Sequence, residues 1–208
     1  QRCKQEEADK LCPPGMEFTI RWSQELLIYK GSASAMILFI EKLDEQSIKY
    51  KDLSEMFGDP FHLPCMKAMG PNLLQKANAL ITNPTSRSSK WISTCYADPM
   101  TAANKPVSAE YFLYNMCNPI YFMEAMEFIP HDATVIEIAP NGFLLSVLKK
   151  GLPVECCVLA VEDSRFSPNN LDFFLEFTSR YFNNTVNPSL HNRPYLAPNN
   201  QPNFNIFF

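Results

Sequence analysis

Thr134-Val-Ile-Glu-Ile-Ala-Pro-Asn-Gly-Phe-Leu-Leu-Ser-Val-Leu-Lys-Lys-Gly151 is the stretch that decides the fold. Residues 134–139 are β-branched or apolar except for one glutamate, which is typical of a strand inside a sheet. Pro140 ends the predicted strand, and Asn141 can cap the helix that follows it. Gly151 stands where a left-handed residue commonly ends such a helix. The stretch therefore predicts a buried strand that leads directly into a helix.

Strands and helices alternate along the chain on both sides of this stretch. Helices are predicted at 71–81, 108–117, 120–129 and 168–183, and strands at 90–94 and 154–161. Ser167-Pro168 is typical of a helix start, with serine at the cap and proline at the first helical position. Such alternation predicts a parallel sheet covered by helices, as in α/β proteins.

A smaller α+β layer is predicted nearer the start of the chain. Its elements are a helix at 1–11, strands at 17–22 and 25–30, a helix at 32–43 and a strand at 48–53. This order favours a ferredoxin-like subdomain. The predicted organisation is a subdomain at residues 1–54, a larger α/β domain at 55–183 and an extended tail at 184–208. The tail is rich in asparagine and proline, which disfavours helix and central strand.

Composition excludes several classes of protein. Of the 208 residues 46% are hydrophobic and 12% aromatic, which indicates a globular chain and not a disordered one. The net charge of −4 gives no basic surface for nucleic acid. No apolar run is long enough to span a bilayer, so no transmembrane segment is predicted.

The cysteine pattern favours reduced thiols. The sequence has 7 cysteines, at positions 3, 12, 65, 95, 117, 156 and 157. Their number is odd and no two form a C-x-x-C pair, which disfavours a disulfide framework and a zinc site. We predict no metal site and no cofactor.

Short segments spread over almost the whole chain form an ordered set. They are Leu11-Cys-Pro-Pro-Gly-Met16, Phe57-Gly-Asp-Pro-Phe-His-Leu-Pro-Cys-Met66, Arg87-Ser-Ser-Lys-Trp-Ile-Ser-Thr94, Ser108-Ala-Glu-Tyr111, Asn118-Pro119 and Ile136-Glu-Ile-Ala-Pro140. In content and order this set resembles the malonyl/acetyltransferase domain of animal type I fatty acid synthases. The resemblance implies an α/β fold in which residues 55–183 form a partial parallel sheet of the acyltransferase type. It also implies a cytoplasmic protein, whereas the glycosylation sequon at Asn183 leaves secretion open.

The family's chemistry is acyl transfer through a serine in a G-H-S-x-G motif, with a histidine that takes the serine proton. The resemblance implies that His62 occupies the place of this histidine and that Asn115 supplies the backbone carbonyl that orients its ring. The sequence departs from the family pattern in two ways. Leu63 replaces a serine, and Asp59-Pro60 changes the turn before His62. The 208 residues contain no G-x-S-x-G motif.

Three hypotheses for the function follow. The first is a protein that is not catalytic alone and acts as a binding or structural protein, with an acyl or fatty-acid ligand and His62 as a relic. The second is one chain of a split or cleaved fatty acid synthase, in which another polypeptide brings the serine and His62 is the general base. The third is a secreted or storage protein built on the same fold. Cys65, three positions after His62, is a further candidate nucleophile.

A partner is also predicted. In the family the serine-bearing part supplies central strands of the same sheet, and without them apolar strand edges are exposed. We therefore expect a protein partner or a homo-oligomer that covers these edges.

Overall fold

The computed structural model describes residues 4–55, 58–139, 142–161, 170–182 and 206–207. The chain is a mixed α/β protein with helices and small sheets, as the sequence predicts. It forms two compact units, one of Gln1–Ala125 with Asn205–Phe208 and one of Met126–Phe204. The boundaries predicted after residues 54 and 183 stay predictions.

Helices and strands are short throughout. The helices are α1 (Gln5–Leu11), α2 (Ala33–Glu45), α3 (Gly70–Leu80), α4 (Ala109–Cys117), α5 (Phe122–Met126), α6 (Leu145–Gly151) and α7 (Asn170–Tyr181), with 3-10 helices at Pro64–Met69 and Pro99–Ala102. The strands are β1 (Met16–Arg21), β2 (Leu27–Gly31), β3 (Thr85–Ser86), β4 (Trp91–Ile92), β5 (Pro106–Val107), β6 (Ile120–Tyr121), β7 (Thr134–Glu137), β8 (Cys157–Ala160) and β9 (Ile206–Phe207). Across the described ranges, every helix is too short or too polar to cross a membrane.

In the first unit, a three-stranded sheet in the order β2-β1-β6 packs against α2. The turn between β1 and β2 is closed by Ser23, whose Oγ accepts from the amides of Glu25 and Leu26. The core on the α2 side consists of Met16, Ala35, Phe39 and Leu43. β6 pairs in parallel with the last two residues of β1, so the chain that follows α4 joins the sheet at the end of that strand.

Ser32 caps α2, since its Oγ accepts from the amide of Ala35 at 3.2 Å. This agrees with the sequence, in which Gly31-Ser-Ala-Ser34 is better explained as a helix start than as part of a nucleophile motif. A serine engaged in a cap is held by the helix and is poorly placed to attack a substrate.

The strand predicted at residues 48–53 is wrong, because this segment has no regular structure. Ile48 is anchored through its side chain, which packs against the α2 core, and through its amide, which donates to the carbonyl of Leu43 at 2.9 Å. The next residues are charged or exposed, and Tyr50 retains 47% of its accessible surface. The alternation of residue types was therefore not matched by a neighbouring strand.

Within the same unit, α4 packs against α3 and against the 3-10 helix Pro64–Met69. Ser108 caps α4 by accepting from the amide of Tyr111 at 3.3 Å. β3 pairs antiparallel with β5, and β4 pairs in parallel with β9 from the end of the chain. Of these elements, α4 contacts the loop that carries His62, through Asn115 and Met116.

The second unit contains the strand predicted at residues 134–139. β7 and β8 form a parallel pair in the register Thr134↔Cys157 to Glu137↔Ala160. The Glu137 side chain is only 7% exposed, and its Oε1 accepts from the Leu144 amide at 2.7 Å. A buried carboxylate needs such a partner, and here it satisfies an amide just before α6. Pro140, Asn141 and the predicted helix start at Ser167-Pro168 lie outside the described residues.

Gly151 does not end α6 in the left-handed conformation, so that prediction is wrong. Gly151 is the last helical residue and is not among the glycines with positive φ. A Cβ at this position would lie 2.9 Å from Cε of Met126. The position is small because a buried methionine packs against the helix backbone.

Candidate active site

His62 lies in a loop with left-handed backbone, at a φ of 67°. Such a conformation costs a residue other than glycine about 1–3 kcal/mol and persists only where the surroundings hold it. The His62 amide donates to the carbonyl oxygen of Met116 at 2.8 Å. The strained residue is therefore fixed by a backbone hydrogen bond to the end of α4.

The imidazole of His62 is oriented by the same helix. Its Nδ1 lies 2.9 Å from the carbonyl oxygen of Asn115. Because a carbonyl oxygen can only accept, Nδ1 carries the proton in this bond. The lone pair of the neutral ring is then on Nε2, the atom that can take up a proton. The sequence assigned these two residues to one site, and the structure brings them within hydrogen-bond distance.

The end of α4 offers these carbonyls because the helix stops at Asn118-Pro119. A residue before proline is pushed into extended backbone, and Asn118 has φ −130° and ψ 160°. The last carbonyls of a helix have no partner within it. His62 donates to two of these carbonyls, from Nδ1 to that of Asn115 and from its amide to that of Met116. The Asn118 Nδ2 takes that of Tyr114 at 2.8 Å.

The surroundings keep His62 neutral near pH 7. Burial lowers the pKa of the imidazole, and the charge of Lys30 lowers it further. The carbonyls of Asn115 and Asn118 and the charge of Asp59 raise the pKa without cancelling the shift. A neutral imidazole with its proton on Nδ1 is the form that can act as a general base.

The turn before His62 explains one departure from the family pattern. Oδ1 of Asp59 accepts from the amide of Phe61 at 3.0 Å and so closes the turn. The same oxygen lies 3.3 Å from Nζ of Lys30, at the end of β2. Burial raises the pKa of Asp59, but the Phe61 amide and the Lys30 ammonium hold it below its ordinary value. Lys30 was missed in the sequence, where the only signal is a lysine in a half-buried strand.

A buried polar network lies behind Asn115. The Asn115 Nδ2 donates to Sγ of Cys95 at 3.0 Å. The Cys95 amide donates to Oγ of Ser93 at 3.2 Å, and that oxygen lies 2.8 Å from the Tyr111 hydroxyl. Burial is the main reason why the pKa of Tyr111 is raised to about 12. The residue whose carbonyl orients His62 is thus itself held by its side chain.

Arg87 covers this network with its planar side chain. The guanidinium carbon lies 3.9 Å from the centroid of the Tyr111 ring and 5.2 Å from that of Trp91. Its Nε donates to the carbonyl of Lys105 at 3.0 Å, whereas Nη1 and Nη2 are buried and have no hydrogen-bond partner among the described residues. Stacking of the cation on aromatic faces is therefore the main interaction of the guanidinium end. The sequence identified the Arg87–Thr94 segment but assigned it no role.

Cys65, the further candidate nucleophile from the sequence, is not part of this arrangement, and neither of the other two histidines is placed in it by the described residues. Cys65 is exposed, and among the described hydrogen bonds none joins it to His62. His131 is exposed in a turn of the second unit, and His191 lies outside the described residues. The cysteines that the structure describes, Cys12, Cys65, Cys95, Cys117, Cys156 and Cys157, carry free thiols.

A cavity of about 300 Å³ lies next to the His62 loop. It is lined by Gly15, Glu17, Lys30, Gly31, Ser32, Leu63 and Cys65. Leu63 directly follows the histidine and Cys65 is three positions after it, so the cavity adjoins the candidate site. Within the described ranges, no group of three or more His, Cys, Asp or Glu residues could hold a metal ion.

Solved structures share this fold. The chain is similar to the acyltransferase domain of the iterative polyketide synthase in enediyne biosynthesis, with a TM-score of 0.65, 17% identity and coverage of 92% of this chain and 49% of that one. The acyltransferase domain of the polyketide synthase PpsC of Mycobacterium tuberculosis gives 0.60 and 23% identity, covering 76% of this chain and 50% of that one. The malonyl CoA-acyl carrier protein transacylase from Clostridium perfringens gives 0.54 and 18%, covering 89% and 57%.

The chain spans about half the length of the solved structures that it matches. The sequence pattern of the acyl transferase domain family matches residues 2–188, which include both His62 and Asn115. Since this match covers most of the 208 residues, the chain belongs to the acyl transferase domain family.

Proposed function

We propose that this chain supplies the general base of a malonyl/acetyltransferase of the animal fatty acid synthase type. Residues 1–208 are not catalytic by themselves, because they contain no G-x-S-x-G motif, and a serine outside them completes the site. The observation that carries the proposal is the hydrogen bond of 2.9 Å from His62 Nδ1 to the Asn115 carbonyl. It leaves Nε2 as the basic atom of a ring whose pKa is lowered, which is the state that a general base requires.

The chemical steps follow from this geometry. In the first half-reaction the serine oxygen attacks the thioester carbonyl of the acyl donor while Nε2 takes the proton of the serine hydroxyl. The tetrahedral intermediate collapses to a serine ester, and the imidazolium returns the proton to the departing thiolate. In the second half-reaction the thiol of the acceptor attacks the ester, and Nε2 receives the thiol proton and passes it to the serine oxygen.

In many catalytic triads a carboxylate accepts the hydrogen bond from Nδ1 of the histidine. In this chain a carbonyl at the end of α4 accepts it. An imidazolium forms in each half-reaction and needs a negative partner at Nδ1. The Asn115 carbonyl supplies this, aided by the negative end of the α4 dipole. No acidic side chain is required at this position.

The type of acyltransferase is inferred from the sequence. The solved structures that we compare share at most 23% identity with the chain, so their likeness concerns the fold. Cys12-Pro-Pro-Gly15, Arg87–Thr94 and Ile136–Pro140 resemble the fatty acid synthase domain in content and order. This favours malonyl and acetyl thioesters as acyl donors and a pantetheine thiol as the acceptor.

Exposed apolar residues in the second unit support a completing partner. Among the described residues β7 and β8 form a two-stranded sheet that contacts α6 and α7, whereas most sheets have about 4–6 strands. Ile138, next to the end of β7, is 85% exposed, and Val154, before β8, is 93% exposed. A serine-bearing polypeptide that adds strands to this sheet would cover such positions.

The cavity beside His62 favours a second candidate, a binding protein without catalysis. Its volume of about 300 Å³ lies at the small end of ligand pockets, and its lining combines apolar groups with Glu17, Lys30 and Ser32. A short acyl group is the ligand that this size and chemistry suit.

Native mass spectrometry of the protein isolated from the cells that make it separates the two candidates. We expect a complex that, on denaturation, releases a second polypeptide with a G-H-S-x-G motif. A lone chain or a homodimer, with or without a lipid-sized addition, would contradict the split acyltransferase and support the binding protein.

A further inference from the structure

Lys30 reaches from β2 to the loop that carries His62. Its side chain is only 9% exposed, although it ends in an ammonium group. Nζ lies 3.2 Å from the carbonyl oxygen of Asp59, 3.3 Å from Oδ1 of the same residue and 3.3 Å from the carbonyl oxygen of Phe61. A lysine so deeply buried is stabilised only where its donors find acceptors, and the acceptors here are in one turn.

The same turn is tied internally and on its other side. The Asp59 carboxylate accepts from the Phe61 amide, so the carboxylate and two carbonyls of the turn all face donors. The next residue, His62, is bound through its amide and its ring to Met116 and Asn115. Residues 59–62 are therefore held between the end of β2 and the end of α4.

Two of the three Lys30 bonds go to backbone oxygens, so Lys30 constrains the backbone of the turn as well as a side chain. An ion pair with Asp59 alone would hold a flexible side chain, and exposed ion pairs contribute little. Bonds to the carbonyls of Asp59 and Phe61 fix the Asp59–Pro60 and Phe61–His62 peptide groups. These peptide groups set the direction in which the chain enters His62, whose φ of 67° needs such support.

We infer that Lys30 is a positioning residue for His62, which holds the turn at residues 59–61 so that the imidazole keeps its Nδ1 bond to Asn115. The inference rests on the proposed function in so far as the positioned ring is the general base. The Asp59-Pro60 change from the family pattern then has a structural counterpart in β2, because the turn and the lysine bind each other.

The test reads the tautomer of His62 directly, by 15N-resolved NMR of the imidazole in the 208-residue chain. The wild-type ring is expected to carry its proton on Nδ1. In Lys30→Met, which keeps the aliphatic stem but has no donor, we expect a mixture of tautomers. Lys30→Arg, which restores donors, should recover most of the Nδ1–H form. Lys49→Met, at an exposed lysine of the same unit, is the matched control and should match wild type.

A second variant separates the backbone bonds from the ion pair. Asp59→Asn removes the charge but keeps an acceptor for the Phe61 amide, and the Nδ1–H form should persist. If Lys30→Met does not fold, as judged by circular dichroism, Lys30→Ala, which also lacks a donor, takes its place with the same expectation. Retention of a pure Nδ1–H form in folded Lys30→Met or its replacement would overturn the inference. Absence of the Nδ1–H form from the wild type would also overturn it.

The tautomer is measured without any acyl transfer, so the two proposals fail separately. A tautomer that depends on Lys30, in a protein that no serine-bearing polypeptide can activate, would refute the proposed function and leave the positioning intact. Active complexes whose tautomer ignores Lys30 would do the reverse.

Discussion

The ring nitrogen Nδ1 of His62 lies 2.9 Å from the carbonyl oxygen of Asn115, a residue 53 positions later in the chain. The bond joins a strained loop to the last turn of α4 and sets the proton on one side of the ring. Its partner is a backbone atom, so no substitution at position 115 removes the acceptor itself. What a substitution can change is how firmly that acceptor is held.

The Asn115 side chain is predicted to couple to Cys95 in a double-mutant cycle. Asn115→Ala and Cys95→Ala each break the bond of 3.0 Å, and the double variant should lose less than the sum. We expect a coupling of about 0.5–1.5 kcal/mol in the free energy of unfolding, the usual net size of such a bond. Urea denaturation of the four proteins measures it. Strict additivity would show that the contact does not contribute to stability.

The lowered pKa of His62 predicts how stability depends on pH. The unfolded ring has a pKa of about 6.5, above that of the folded ring. Between the two values the unfolded chain binds more protons, so stability rises with pH and is lost as pH falls through that window. His62→Asn, which tolerates a positive φ, should remove this dependence. His131→Asn, at an exposed turn histidine, should keep it. A stability difference between wild type and His62→Asn that is constant from about pH 5 to about pH 8 would contradict the shift.

Arg87→Lys is predicted to destabilise the first unit by about 0.5–2 kcal/mol, because an ammonium does not stack as a guanidinium does. The guanidinium lies 3.9 Å from the Tyr111 ring, over the network that holds Asn115. Thermal unfolding measures the loss. The same substitution at Arg180, exposed on α7, is the control and should change stability by no more than about 0.5 kcal/mol. Equal effects of the two variants would argue against the stacking.

Gly151→Ala is predicted to be less favourable for stability while Met126 is present than in its absence. The added Cβ would lie 2.9 Å from Cε of Met126, which is itself buried. In a Met126→Ala background the same change should be neutral or stabilising, since alanine favours helix over glycine by up to about 1 kcal/mol. Unfolding of the four combinations measures the coupling. An equal loss in both backgrounds would assign the effect to the backbone, as the sequence first suggested.

Local signals in the sequence were enough for much of the fold. The helices predicted at 32–43 and 108–117 and the strand predicted at 134–139 followed from local residue types and their spacing. Errors arose where the outcome depended on distant neighbours. The segment at 48–53 pairs with no strand among the described residues. The space at Gly151 is limited by Met126, which belongs to α5.

The candidate site divides in the same way. His62 and Asn115 could be paired because a family pattern places them, although they are far apart in sequence. Lys30 and Cys95 could not, because their roles depend on side-chain contacts across separate elements. A lysine in a strand and a cysteine after one have no local feature that indicates a partner.

The measurement that tests the central claim most directly is acyl transfer by a reconstituted pair. The 208-residue chain would be co-purified with a polypeptide that carries the G-H-S-x-G part of a fatty acid synthase acyltransferase, and malonyl transfer from its thioester to pantetheine would be followed. We predict no transfer by the chain alone, transfer by the pair, a loss of about 10²–10⁴-fold in His62→Ala and no loss in His131→Ala. Transfer by the isolated chain, or a His62→Ala pair as active as wild type, would contradict the role of His62 as the base.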